Sequence, residues 1–126
     1  MKVILAIAAG GAIGAVLRHL VNVQSTHWFG TSFPWSTLFV NIVGCFLMGV
    51  LVETSALLWS PGPTLRAMIA VGFLGALTTF SSFSLDTAVL YERGALLPVL
   101  AYVLASVILS IGAFFAALAL VRALAH

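Results

Sequence analysis

An all-α integral membrane domain of four transmembrane helices is the fold class that this chain predicts, and three features carry the expectation. Hydrophobic residues fill 63% of its 126 positions and charged residues only 6%, against about a quarter charged in soluble domains. The apolar runs are continuous rather than alternating and are about twice too long for barrel strands. Charges punctuate the runs: Lys2 and Arg18 flank the first, Arg66 and Asp86 the third, Arg93 and Arg122 the fourth. A mean hydropathy of +1.23 agrees. Spans are expected over about residues 2–21, 34–58, 65–90 and 95–122, with the whole of 1–126 as a single four-helix membrane domain and no soluble domain or linker.

The first span opens on Lys2 and small apolar residues, a pattern shared with signal peptides. It is expected to remain part of the fold because the run continues into Arg18. Aromatic residues mark the second span: Trp28, Phe29, Phe33 and Trp35 precede it and Trp59 closes it, as rings that prefer the headgroup level should. Val23–Phe33 is the longest connection, Trp59-Ser-Pro-Gly-Pro63 reads as a turn and Glu92-Arg93-Gly94 as a short polar hairpin. In the third span Gly72 and Gly75 weaken the helix, and β-branched Thr78 and Thr79 disfavour it further, so a local mid-membrane break is expected. The fourth span carries Tyr102, Ser106 and Ser110 every four residues, a slowly drifting polar stripe.

Cys45 is the only cysteine, which excludes a disulfide framework and a cysteine metal site. His19, His27 and His126 fall at expected helix ends or connections and share no ligand spacing. Glu53 and Asp86 fall near helix ends, where solvated or vestibule positions are expected. No acidic residue lies mid-span, which argues against a proton-coupled cation exchanger. Neither enzymatic activity nor nucleic-acid binding is expected.

Four spans put both termini and the turn at 59–66 on one side. That side holds Lys2, Arg66 and Arg122, against Arg18 and Arg93 on the other. Orientation follows the Lys/Arg asymmetry of short loops, and here almost none exists, so insertion in both orientations is expected. Two inverted copies would then form an antiparallel homodimer with a two-fold axis in the membrane plane. Gly10 and Gly14 form a G-x-x-x-G pair, and Gly44, Gly49, Gly72, Gly75 and Gly112 extend the small-residue theme. Such residues permit close helix approach without naming the interface.

The polar inventory lies within Gly75–Ser84, Asn41 and the fourth-span stripe. A break exposes backbone carbonyls, which suit a hard cation such as Na⁺. Phe80 and Phe83, three residues apart, share one helical face, and ring edges are positive enough to meet an anion. Thr79, Ser81, Ser82 and Ser84 add hydroxyls, and Asn41 adds an amide with two donors. Each also has an ordinary use in helix packing or interhelical hydrogen bonding, and Arg18 an ordinary use in snorkelling to the interface. Donors with few formal charges fit an anion path better than a cation path, and a small, strongly hydrated anion needs many donors. Fluoride fits, while chloride or a small neutral solute stays open on these residues alone.

Three segments in order, Gly10-Gly-Ala-Ile-Gly14-Ala-Val-Leu-Arg18, Thr37-Leu-Phe-Val-Asn41-Ile-Val-Gly44 and Gly72-Phe-Leu-Gly75-Ala-Leu-Thr78-Thr-Phe80-Ser-Ser-Phe83-Ser84, make the whole chain resemble the Fluc, or CrcB-type, fluoride channels. The resemblance implies a bacterial inner-membrane, dual-topology homodimer with two antiparallel fluoride pores and a structural Na⁺ on the dimer axis. It implies that carbonyls of Gly75 and Thr78 hold the Na⁺, that fluoride passes the edges of Phe80 and Phe83, and that Asn41 is the pore amide. Tyr102, Ser106 and Ser110 match a hydroxyl track, and Thr79 and Arg18 match pore or vestibule positions. It further implies passive export: HF enters, dissociates in the cytoplasm and leaves as the ion, which confers fluoride resistance. Ala76 and Asp86 depart from the family's frequent glycine and glutamate. A small multidrug exporter would instead need a carboxylate in the first span, and residues 3–17 hold none. A structural or regulatory membrane subunit would use the same small and hydroxyl residues for packing only.

Overall fold

The computed structural model describes residues 1–125, and His126 lies outside the described residues. Helix α1 covers Lys2–Phe29 and α2 Trp35–Leu57. The third span runs Pro63–Glu92 in pieces: α3 (Pro63–Ala67), a π-helical segment (Met68–Leu74), α4 (Gly75–Leu77) and α5 (Phe80–Glu92). Helix α6 covers Leu96–Leu124. All four spans are long and apolar enough to cross a membrane, and the chain is a multi-pass membrane protein.

The first helix outruns its expected end near residue 21 and absorbs most of the connection after it. At 1.5 Å per residue its 28 residues reach about 42 Å, beyond a hydrocarbon core of about 30 Å. The continuous apolar run stops near Val21, whereas the helical hydrogen bonding continues through Asn22–Phe29 until Gly30. There φ turns to +75°, a conformation that glycine adopts without strain, and the Gly30 N–H closes on the Thr26 carbonyl. His19 consequently lies inside α1 and not at a helix end.

Glycines set the closest approaches, and they do so within the subunit. A Cβ on Gly10 would strike the Met68 carbonyl, one on Gly14 the Phe73 carbonyl, and one on Gly72 the Ile7 carbonyl. Helix α1 is thereby drawn against the π segment backbone to backbone. On the other flank α2 packs along α6, where a Cβ on Gly49 would lie 2.6 Å from the Phe114 carbonyl oxygen. Glu53, expected at a solvated position, is buried on α2 and pairs with Arg122 of α6 at 3.1 Å. Desolvation of an unpaired carboxylate is costly enough that the partner is required.

Two small clusters form the interior: Leu38, Leu90 and Tyr102 near one end, and Val40, Leu74 and Leu77 beside the π segment. Most other large apolar side chains face outward, as a lipid solvent permits.

Candidate functional site

Helical geometry lapses at Thr78 (φ −86°, ψ 156°) and Thr79 (φ −155°, ψ 118°), both extended. β-Branched side chains favour that backbone, and the freed polar groups then need partners at membrane depth. The Thr79 N–H, which a continuous helix would give to the Gly75 carbonyl, donates instead to Asn41 Oδ1 at 2.7 Å. Asn41 Nδ2 donates back to the Thr79 carbonyl at 3.1 Å. One amide from α2 therefore satisfies both backbone groups of Thr79, leaving one N–H of Asn41 free.

Thr79 also starts the next helix. Its Oγ1 accepts from the Ser82 N–H at 3.0 Å, an N-cap for α5. Ser82 N–H would otherwise serve the Thr78 carbonyl, so both the Gly75 and the Thr78 carbonyl lose the donor that a continuous helix supplies. Arg18 completes the bracing: Nε donates to the Ala76 carbonyl at 3.0 Å and Nη1 to Ser82 Oγ at 3.4 Å. Expected to end its span, Arg18 lies well inside α1 and reaches inward, one guanidinium touching both sides of the interruption.

A cleft of about 290 Å³ opens on one side of this interruption. Asn41, Thr79, Phe80 and Phe83 meet Ser106 and Ser110 across it, with Thr78 also in the lining, and no lining residue carries a formal charge. The Phe80 and Phe83 rings are 5.4 Å apart and tilted by 57°, so they do not stack flat. Ser106 and Ser110 Oγ are buried and have no hydrogen-bond partner within the described residues. Ser55 on α2, away from the cleft, is the other such hydroxyl among the described residues. Thr54, Thr78, Ser84 and Thr87 each donate to the carbonyl four residues back, the ordinary local solution.

On the other side a polar cavity of about 320 Å³ is lined by Arg18, His19, Asn22, Thr37, Ser82 and Asp86. A second cavity of about 230 Å³ shares Asn22, Thr37 and Asp86 and extends to Arg93. Arg93 Nη1 holds the connection after α1 through the Thr31 and Ser32 carbonyls, at 3.2 and 3.5 Å. Thr79 lines both the cleft and the larger cavity, so it borders the two compartments at the interruption.

Tyr102 is fully buried, tilted against Phe83 at 5.2 Å, and donates to Asp86 Oδ2 at 3.0 Å. It lies above Ser106 and Ser110 on the same α6 face without lining the cleft itself. Gly75 and Thr78 line a neighbouring cavity of about 250 Å³ with Gly44 and Cys45. Four expected pore residues are not brought into the cleft: Tyr102, Ser82, which lines the polar cavity beside Arg18, and Ser81 and Ser84. Ser81 is exposed and meets Thr79 Oγ1 at 3.2 Å, and Ser84 turns to the Phe80 carbonyl. Asp86, expected at a solvated or vestibule position, lines both polar cavities, and its place three after Phe83 puts it on the same helical face.

Comparison with known proteins agrees over nearly the whole chain. Residues 5–118 match the model of the family described as CrcB-like protein, Camphor Resistance (CrcB). A protein of Rhodospirillum centenum named fluoride-specific ion channel FluC is 57% identical over 122 residues, 97% of each chain. Proteins of the same name from Agrobacterium fabrum and Chelativorans sp. are 53% and 52% identical, over 92% and 94% of this chain and 93% and 94% of their own. With its four spans and a match of this extent, the chain belongs to the CrcB family.

Proposed function

We propose that this protein is a fluoride-selective channel that releases cytoplasmic fluoride passively, down its electrochemical gradient. The observation that carries the reading is the pair of buried, unpartnered hydroxyls of Ser106 and Ser110, facing tilted phenyl rings across an uncharged cleft. An unpaired buried hydroxyl costs about 1–3 kcal/mol, and a permeating anion that accepts from it recovers that cost. Fluoride, small and strongly hydrated, gains most from a series of neutral donors. A fixed cation in the cleft would hold it too long. Arg18 instead stands in the adjoining polar cavity, where a vestibule charge concentrates anions before they enter.

The Gly75 and Thr78 carbonyls suit a structural Na⁺. Both are released from helical bonding by the redirected Thr79 and Ser82 N–H groups, and carbonyl oxygens are the ligands that a hard cation takes. Two carbonyls are half of a reasonable set. An antiparallel second copy, related by the in-plane two-fold axis, would supply the other half and place the ion on that axis. The bound ion would supply fixed positive charge and rigidity to the interruption.

Fluoride and chloride efflux from proteoliposomes tests the reading. Rapid fluoride efflux with negligible chloride efflux is expected, with severe loss in Phe80→Ile, Phe83→Ile and Asn41→Ala. Wild-type protein that passes neither ion would remove the proposal.

A further inference from the structure

Helix α2 and the third span diverge at the end of the fold that carries the turn 58–62. That short turn joins them, yet α3 packs on α1 and on the π segment and not on α2. The wedge between them is a cavity of about 250 Å³. Its walls change character along the helix axes. Met48, Leu51 and Ala70 make the deep part apolar, whereas Ser55 and Arg66 stand toward the mouth, about two turns further along α2 and about one turn nearer the start of the third span. Trp59, just beyond α2, puts that mouth at the headgroup level, where indole rings prefer to lie.

Neither polar group at the mouth has its needs met by the chain. Ser55 Oγ is shut off from water and has no hydrogen-bond partner among the described residues, although Thr54 beside it donates to the Val50 carbonyl at 2.6 Å. Rotation about χ1 carries a serine hydroxyl between staggered positions, so a new partner in the cavity is within its reach. Arg66 is exposed, takes part in no ion pair among the described residues, and is the only charged group of the lining. Arg122, at the same end of the fold, is by contrast paired with Glu53. A guanidinium on one wall and a hydroxyl on the other, with no carboxylate between them, form a receptor for anionic oxygen.

We propose that this wedge binds one membrane phospholipid by its phosphate, with Arg66 and Ser55 as the donors and an acyl chain against Met48, Leu51 and Ala70. Two features favour a lipid over free phosphate. The apolar depth below the donors gains nothing from a free anion, and the donors stand at the level where a bilayer presents its own phosphodiesters. Guanidinium meets phosphate oxygens as a planar fork. The lining holds no carboxylate to receive a headgroup ammonium, so an anionic lipid such as phosphatidylglycerol is preferred to a zwitterionic one. Bound there, the lipid ties the end of α2 to the start of the third span, which the chain itself leaves apart. The wedge shares no lining residue with the cleft or with the two polar cavities, so the site stands whatever ion the protein conducts.

The test is native mass spectrometry of the full chain in detergent, titrated with phosphatidylglycerol, with phosphatidylcholine or with inorganic phosphate. One phosphatidylglycerol per chain is expected, held more tightly than phosphatidylcholine. Arg66→Gln should weaken it by about five- to tenfold, the worth of one basic side chain at a lipid headgroup, and Ser55→Ala by about threefold, the worth of one net hydrogen bond. Arg66→Lys, which keeps the charge without the fork, should fall between the wild type and Arg66→Gln; it decides the matter if the glutamine variant does not fold. Lys2→Gln removes a positive charge from the same end of the fold but outside the wedge, and should leave binding unchanged. Equal weakening by Lys2→Gln, or none by the Arg66 variants, means general attraction to the basic end and overturns the site. Displacement of the lipid by an equal concentration of inorganic phosphate would make it a plain anion site and overturn the lipid. In liposomes, phosphatidylglycerol with a photoreactive acyl chain should label residues 48–56. A stretch that goes unlabelled and cross-links to a second copy instead would mean that protein fills the wedge, which also overturns the proposal.

Discussion

Ser106 and Ser110 set a contrast that separates conduction from packing. A hydroxyl that braces two helices stabilises the fold, so its removal destabilises; these two have no partner among the described residues to lose. Ser110→Ala is therefore expected to leave thermal stability in detergent unchanged or to raise it, within the cost of about 1–3 kcal/mol of an unpaired buried hydroxyl, while fluoride flux falls. A variant that melts earlier with flux intact would return the stripe to a packing role. Asn41 shows what a sequence does not disclose about such residues. Its isolation in an apolar run marks it as important, and its amide carries two donors. Which of them remains free depends on Thr79, 38 positions away, whose backbone takes one donor and the acceptor. Residue type announced the chemistry, and only the fold allotted it.

At the scale of elements, the third span was readable in part. Gly72, Gly75, Thr78 and Thr79 pointed to a lapse in helicity, and the extended residues are Thr78 and Thr79. The π segment before it had no local signal, because its cause is tertiary: Gly72 lies against the backbone of Ile7 and Gly11. For the same reason the Glu53–Arg122 pair was not foreseen, since it needs α2 and α6 already side by side. The α1 contact yields a matched test on adjacent residues. A methyl at Gly10 meets the Met68 carbonyl, whereas one at Gly11 meets nothing nearer than the Gly72 carbonyl oxygen at 3.8 Å. Gly10→Ala should destabilise the protein by about 1–3 kcal/mol through overpacking. Gly11→Ala should be neutral or gain up to about 1 kcal/mol from helix propensity. Thermal denaturation of both in detergent reads the difference, and equal melting would mean that this contact does not hold α1 to the π segment. Because the π segment leads directly into α4, Gly10→Ala is also expected to lower fluoride flux more than its stability loss alone.

At the scale of the molecule, the cleft is open along one edge. Phe80, which lines it, is 77% exposed. Hydrocarbon against that edge would put lipid at the mouth of a cleft whose hydroxyl and amide groups it cannot satisfy, and an unsatisfied polar group in an apolar medium costs about 2–7 kcal/mol. In the proposed dimer a second copy would cover the edge at lower cost and, if inverted, would bring a second pair of Gly75 and Thr78 carbonyls to the first. The near balance of Lys2, Arg66 and Arg122 against Arg18 and Arg93 permits such inversion. Charge then becomes a handle on assembly. An N-terminal run of added lysines should commit the chain to one orientation, and Thr31→Lys with Ser32→Lys, at the opposite end of the spans, to the other. Either variant expressed alone is expected to give little fluoride flux in vesicles, because parallel copies cannot form the two-fold axis; expressed together, they should restore it. Restoration distinguishes lost pairing from damaged subunits, since each variant supplies only what the other lacks. If each biased variant alone conducts at the wild-type rate, the antiparallel homodimer is wrong, and the open edge of the cleft must be closed in some other way.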